Sequence, residues 1–407
     1  MARMLRWVAV GLLAAATAQA TPGDRWTTAW WTSQLALEGQ NALPAADLTD
    51  ATLRQIVRLQ GPATRLRVRF SNRFGTAPLT IDGASIARAV DVASPRIDGA
   101  TQRPLRFAGA STVTIPAGAD YWSDPVEIGA PAGADLAISL YMAQPPAQQT
   151  GHPGARATSY VVHGNHAGDA DLREAKTVDH WFQIAGIEAV APKARAIVAF
   201  GDSITDGYGV KPNTNARWTD ALQRRLRRVP GMEAVAVLNA GIGGNRLLND
   251  GLGPNALARF DHDVIGQPGV SHLIVLEGVN DLGTLTRDAP VSAEAHAALV
   301  TRMIDAYRQI LLRAHARGIK VIGATIMPYA GSAYYHPDAQ NEADRQAVNR
   351  WIRTSGHFDA VIDFDAAMRD PADPGRLRKD YDSGDGLHPS VAGYAAMAQA
   401  VPLAVLR

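Results

Sequence analysis

Ser203 lies in Gly201-Asp202-Ser203-Ile204-Thr205-Asp206-Gly207, directly after the apolar run 196–200. A serine at the carboxyl end of a strand sits at the mouth of a sheet, and flanking glycines allow turns that aim its N–H into a site. Far along the chain, Asp385-Gly386-Leu387-His388-Pro389 precedes the last helical pattern. Residues three apart on a helical or turn-like segment share a face, so the Asp385 carboxylate can accept from one ring nitrogen of His388. The other nitrogen is then available as a general base toward a serine hydroxyl. Such a set would support acyl transfer through a covalent serine ester.

Two further motifs follow apolar runs. Asn239-Ala240-Gly241-Ile242-Gly243-Gly244-Asn245 puts glycines at a strand end, where backbone amides can approach a ligand. Gly278-Val279-Asn280-Asp281 offers the Asn280 amide, a fixed donor of the kind an oxyanion needs. Each motif also has an ordinary reading. Asp202 and Ser203 can cap a helix, the glycines can form a structural or phosphate-binding turn, and Asn-Asp is commonly a turn or cap. An Asp/His pair in a loop is commonly solvated. No Lys-Ser/Thr follows the glycines, so the nucleotide-binding P-loop pattern is absent. The combination separates these readings. Nucleophile, Asp/His pair and two kinds of oxyanion donor follow successive strands or precede the last helix, an order that can converge on one sheet edge.

The elements that must position these residues are legible as texture. From about residue 193, the runs 196–200, 234–238, 272–276, 321–326 and 360–362 read as strands. Between them, 216–228, 292–317, 342–355 and 390–400 read as helices, with Ser292 at a start and Gly318 at a stop. This alternation predicts a parallel sheet with helices on both faces and ligands at the strands' carboxyl ends. The preceding stretch, 26–185, holds short runs such as 65–70, 111–115 and 136–141 between Gly and Pro clusters. It predicts an antiparallel β-sandwich or jelly roll. Residues 53–59 fit a short helix and a strand equally well.

Taken together, the four motifs resemble the GDSL, or SGNH, hydrolase family over about residues 195–407. The name-giving residues of that family fall on Ser203, Gly244, Asn280 and His388, with Asp385 completing a catalytic triad. The resemblance implies a flavodoxin-like three-layer α/β fold with a parallel sheet, and needs no metal or organic cofactor. It implies an oxyanion hole made of the Ser203 and Gly244 N–H groups and the Asn280 amide. The β-rich first half and Trp30-Trp31 are similar to a bacterial subgroup with an N-terminal β-sandwich, associated with deacetylation of plant cell-wall polysaccharides. This implies an acetylated polysaccharide or oligosaccharide, such as xylan or xyloglucan, as the partner. The expected organisation is a signal peptide at 1–20, a carbohydrate-binding-like β-sandwich at 21–190 and a hydrolase domain at 191–407. Two alternatives stand beside it: a lipase or acyl-thioesterase type acting on small or lipid esters, and a non-catalytic carbohydrate-binding protein.

Other features bound the answer. Arg3 and Arg6, the apolar stretch 7–16 and Ala18-Gln19-Ala20 form a signal-peptide pattern with processing near Thr21. They imply a periplasmic or extracellular protein with no stable membrane insertion after cleavage. The formal net charge is +1, so no overall field draws nucleic acid. There are no cysteines, which excludes disulfides, a thiol nucleophile and thiolate metal sites. Tyr334 and Tyr335, after the fourth parallel strand, are candidate sugar-stacking contacts, with loop packing as the ordinary reading. Trp30 and Trp31 are candidate cleft residues. Arg217, Arg224, Arg225, Arg227 and Arg228 read as a solvated basic face, and Asp202 as support for the nucleophile turn.

Overall fold

The computed structural model describes residues 24–407. The signal-peptide pattern at 1–20 and the processing point near Thr21 lie outside the described residues.

The first half is built from antiparallel strands. One sheet contains Trp26–Trp31, Ile184–Val190, Ala63–Ser71 and Val126–Ala130, with Asp120–Trp122 also on Ala63–Ser71. A second, six-stranded sheet has Ala51–Arg58 and Asp135–Met142 at its centre. Smaller three- and two-stranded sheets complete the region. The Ala63–Ser71 strand shows why the two large sheets stack. Leu66, Val68 and Phe70 alternate onto one face and share a core with Leu53, Val57, Leu136, Ile138 and Leu140 of the second sheet. Burying each such side chain contributes about 1.5–3 kcal/mol. The opposite face carries Arg65, Arg67 and Arg69. Arg67 lies opposite Glu188 in register and pairs with it at 2.5 Å, while Arg69 pairs with Asp120 at 2.6 Å. The undecided segment 53–59 lies mainly in the Ala51–Arg58 strand, bonded to partners on both sides.

Val190 ends the last antiparallel strand, and a fully parallel sheet begins at Arg195. Its strands are Arg195–Gly201, Val235–Gly241, Val270–Leu276, Lys320–Ala324 and Ala360–Ile362. Numbered within this sheet, their spatial order is 2-1-3-4-5. The first strand reads Ala-Ile-Val-Ala-Phe over 196–200 and is buried throughout, as a strand covered by helices on both faces must be. The helices Trp218–Leu226, Ala293–His315, Ala339–Thr354 and Val391–Ala400 fall close to their predicted positions, and Ser292 caps the second by accepting from Ala295 N–H. Among the described residues no helix is long and apolar enough to cross a membrane.

The halves are packed into one another. Trp31 and Ala185 join the core of the parallel-sheet half, and Ile242 joins the core of the β half. Trp30 and Trp31, the candidate cleft residues, are buried here instead: Trp30 meets Trp181 edge-on, and Trp31 lies between Arg69 and His262. The cavity lined by Trp30, Trp181, His152 and Asp206 is about 30 Å³, room for roughly a water or two.

Candidate active site

Chain order reverses around the first parallel strand, where strand two lies on one side and strand three on the other. Ligands in such sheets collect at this switch point, outside the carboxyl ends. Ser203 follows strand one, Gly244 strand two and Asn280 strand three.

Asp202 begins the short Ser203–Asp206 helix, its carboxylate accepting from Ile204 N–H at 2.9 Å. This is the supporting role expected for it. Burial raises the Asp202 carboxyl well above the ordinary range, against the Ile204 hydrogen bond. Ser203 is the first residue of the turn, so its N–H has no intrahelical acceptor. Its hydroxyl lies 2.8 Å from His388 Nε2. His388 Nδ1 lies 2.6 Å from Asp385 Oδ2, and the other Asp385 oxygen accepts from the His388 and Leu387 N–H groups. Burial works to raise the Asp385 carboxyl, but the His388 ring and these N–H groups outweigh it and hold the group well below the usual carboxylate range. A carboxylate on Nδ1 fixes the tautomer that leaves Nε2 as an acceptor for the serine proton.

Gly244 is the third residue of a turn closed by Asn245 N–H on Ile242 O at 3.1 Å. Its φ of +67° is one a side chain disfavours at that corner, which accounts for glycine here rather than at 243. Leu252 packs beside Gly244 and is largely exposed. Asn280 stands in the first turn of the Val279–Thr286 helix. Its amide lies 2.7 Å from Asn245 O, which can only accept, so the atom facing it is Nδ2. Oδ1 then faces the Tyr335 hydroxyl at 2.6 Å.

Tyr335 is thus a correction. It is 3% exposed, its ring is packed under Tyr334, and its hydroxyl donates to Asn280, so it is not a sugar platform. Tyr334 is exposed, with the Arg287 guanidinium over its ring. Arg217 departs from the solvated basic face: it is 7% exposed and donates to Asp206 O, to Asp220 and, across the two halves, to Ala155 O. Arg224 and Arg228 are exposed, while Arg225 and Arg227 are partly covered.

Sequence reasoning missed Arg259. This buried guanidinium donates to Gly201 O, Ala240 O and Asn245 Oδ1 and pairs with Asp263 and Glu277, tying together the ends of the three strands that carry the site. It is an isolated arginine in a short helix, and nothing in its neighbours signals burial.

Residues 199–396 match the GDSL-like Lipase/Acylhydrolase family. This part of the chain is a GDSL-like domain. It holds Ser203, Gly244, Asn280, Asp385 and His388. No curated protein matches the chain. Solved structures that resemble it include a G-D-S-L family protein from Desulfitobacterium hafniense at 21% identity and a TM-score of 0.38, covering 50% of this chain and 96% of that one. A GDSL-like lipase from Bacteroides thetaiotaomicron is 19% identical with a TM-score of 0.39, covering 53% and 90%. A variant of an acetyl xylan esterase from Geobacillus stearothermophilus is 22% identical with a TM-score of 0.37, covering 53% and 96%. Among the described residues, no group of three or more His, Cys, Asp or Glu around the GDSL-like domain or beyond it could hold a metal ion.

Proposed function

We propose that the chain is a serine ester hydrolase that removes acetyl groups from a plant cell-wall polysaccharide such as xylan or xyloglucan. The observation that carries the chemistry is the continuous relay from Ser203 Oγ through His388 to Asp385, at 2.8 and 2.6 Å. His388 Nε2 takes the Ser203 proton as Oγ attacks the ester carbonyl. The Ser203 and Gly244 N–H groups and the second Asn280 amide proton receive the oxyanion. His388 then protonates the leaving alcohol, and water attacks the acyl-enzyme by the same route.

The polysaccharide part of the proposal draws on the exposed Tyr208 ring beside His388 and on the β half, whose Arg156 guanidinium lies 5.9 Å from that ring. Export, with residues 21–190 as a β unit and 191–407 as the hydrolase unit, belongs to the same proposal. The test is acetate release from acetylated xylan, acetylated xyloglucan and an aryl acetate by wild type and Ser203→Ala. Release from a polysaccharide by wild type alone is expected. Activity confined to the aryl ester would remove the polysaccharide assignment, and equal activity in the variant would remove the serine mechanism.

A further inference from the structure

The β half approaches the ring that packs on His388 through Arg156. Tyr208, just past the nucleophile turn, lays its ring against His388 with centroids 4.1 Å apart and is 49% exposed. Its backbone is held by the Tyr394 hydroxyl, which donates to Tyr208 O at 2.8 Å. Arg156 follows the antiparallel strand Gln149–His152, and its guanidinium carbon lies 5.9 Å from the Tyr208 ring centroid. Its Nη2 is 3.8 Å from Asp206 Oδ2, beyond a direct hydrogen bond, and its Nε has no hydrogen-bond partner among the described residues.

Arg156 is also held in a costly conformation. Its φ is +51°, a left-handed value that a non-glycine residue disfavours and that persists only where the surroundings enforce it. The enforcing contacts all come from the hydrolase half. Asn213 N–H donates to Arg156 O at 2.9 Å, and Asn213 Oδ1 accepts from Thr158 N–H at 2.9 Å. Arg217 donates to Ala155 O, and His152 Nε2 meets Asp206 Oδ1 at 2.9 Å. At Gly154 the backbone approaches so closely that a Cβ would stand 2.0 Å from Asp206 Oδ2.

We propose that Arg156 and Tyr208 form the subsite for the sugar bearing the ester oxygen, with Arg156 a specificity-determining residue supplied by the β half. The proposal rests on the ester-hydrolase reading above. His388 Nε2 returns its proton to the leaving oxygen, so side chains against His388 face the alcohol and not the acyl group. Tyr208 offers a ring face for the C–H face of a sugar, and the guanidinium supplies donors for its hydroxyl or ring oxygens.

The test is the ratio of kcat/KM on acetylated xylo-oligosaccharides to kcat/KM on an aryl acetate, in wild type, Arg156→Ala, Arg156→Lys and Tyr208→Leu. The ratio is expected to fall about tenfold in Arg156→Ala, the value of one charge-assisted hydrogen bond, mainly through KM on the oligosaccharide. Lysine should recover part of it, and Tyr208→Leu should lower it as well. An unchanged ratio, whether both activities persist or both fall together, overturns the subsite. Wild type that cleaves the aryl acetate but no acetylated sugar also overturns it. Wild type inactive on both esters defeats the ester-hydrolase reading itself.

Discussion

The hydroxyl of Tyr335 donates to Asn280 Oδ1 across 2.6 Å, holding the Asn280 amide in the orientation that Asn245 O selects. With Oδ1 held by Tyr335 and one Nδ2 proton on Asn245 O, a single amide proton remains for the oxyanion. Tyr335 is therefore a positioning residue. Tyr335→Phe should lower kcat about fivefold to tenfold with KM nearly unchanged, the worth of one ordinary hydrogen bond. Asn280→Ala, which removes the donor itself, should cost about 10²–10³. Steady-state kinetics on an aryl acetate check both. A Tyr335→Phe effect confined to KM would contradict this role.

Arg259 should matter for stability before it matters for chemistry. Its replacement by alanine leaves the buried Glu277 without its cation and Asp263 with His262 but not the guanidinium, at a cost of about 3–5 kcal/mol. Urea unfolding of Arg259→Ala against wild type measures this. A loss below about 1 kcal/mol would mean the guanidinium does not hold the strand ends together.

His262 joins the halves through charge. Its ring nitrogens lie 2.8 Å from Asp120 of the β half and 2.8 Å from Asp263 of the hydrolase half, with Arg69 on Asp120 and the Trp31 ring alongside. Burial acts to lower the His262 value, but the two carboxylates outweigh it and raise it. A histidine raised in this way contributes fully below its unfolded value of about 6.5, and the contribution is lost as pH rises through the higher folded value. For Asp120 and Asp263, burial opposes ionisation but the His262 and arginine contacts hold both low, so their contribution is lost only as pH falls into the acid range. Unfolding midpoints from pH 5.5 to 9 should therefore decline more steeply in wild type than in His262→Gln. Parallel pH curves would show that His262 does not titrate as described.

Local pattern carried the hydrolase half well. Its buried strands are short apolar runs, its helices carry readable starts such as Ser292, and Ser203, Asp385 and His388 announce themselves through the residues around them. What stayed hidden was long-range. Arg217 looked like part of a basic face because five arginines crowd 217–228, yet its side chain turns inward to carbonyls of both halves. Arg156 meets residues about 50 positions away, and Arg259, although four residues before Asp263, also reaches back to Gly201 and Ala240, contacts that no period or spacing announces. The segment 53–59 was ambiguous because a strand buried on both faces lacks the polar–apolar alternation that distinguishes it from a buried helix. Tyr335 was legible as a residue near the site but not as a buried one, since the loop that folds it under Tyr334 has no repeating pattern.

The most direct test of the central claim is covalent labelling of Ser203. A fluorophosphonate reacts with an activated serine by forming an O–P bond and expelling fluoride, and intact mass followed by peptide mapping locates the adduct. One adduct per wild-type chain, on the peptide holding Ser203, with none in Ser203→Ala and strongly slowed labelling in His388→Ala, is the predicted result. No adduct on wild type, or one on a different residue, would contradict the assignment of Ser203 as the nucleophile.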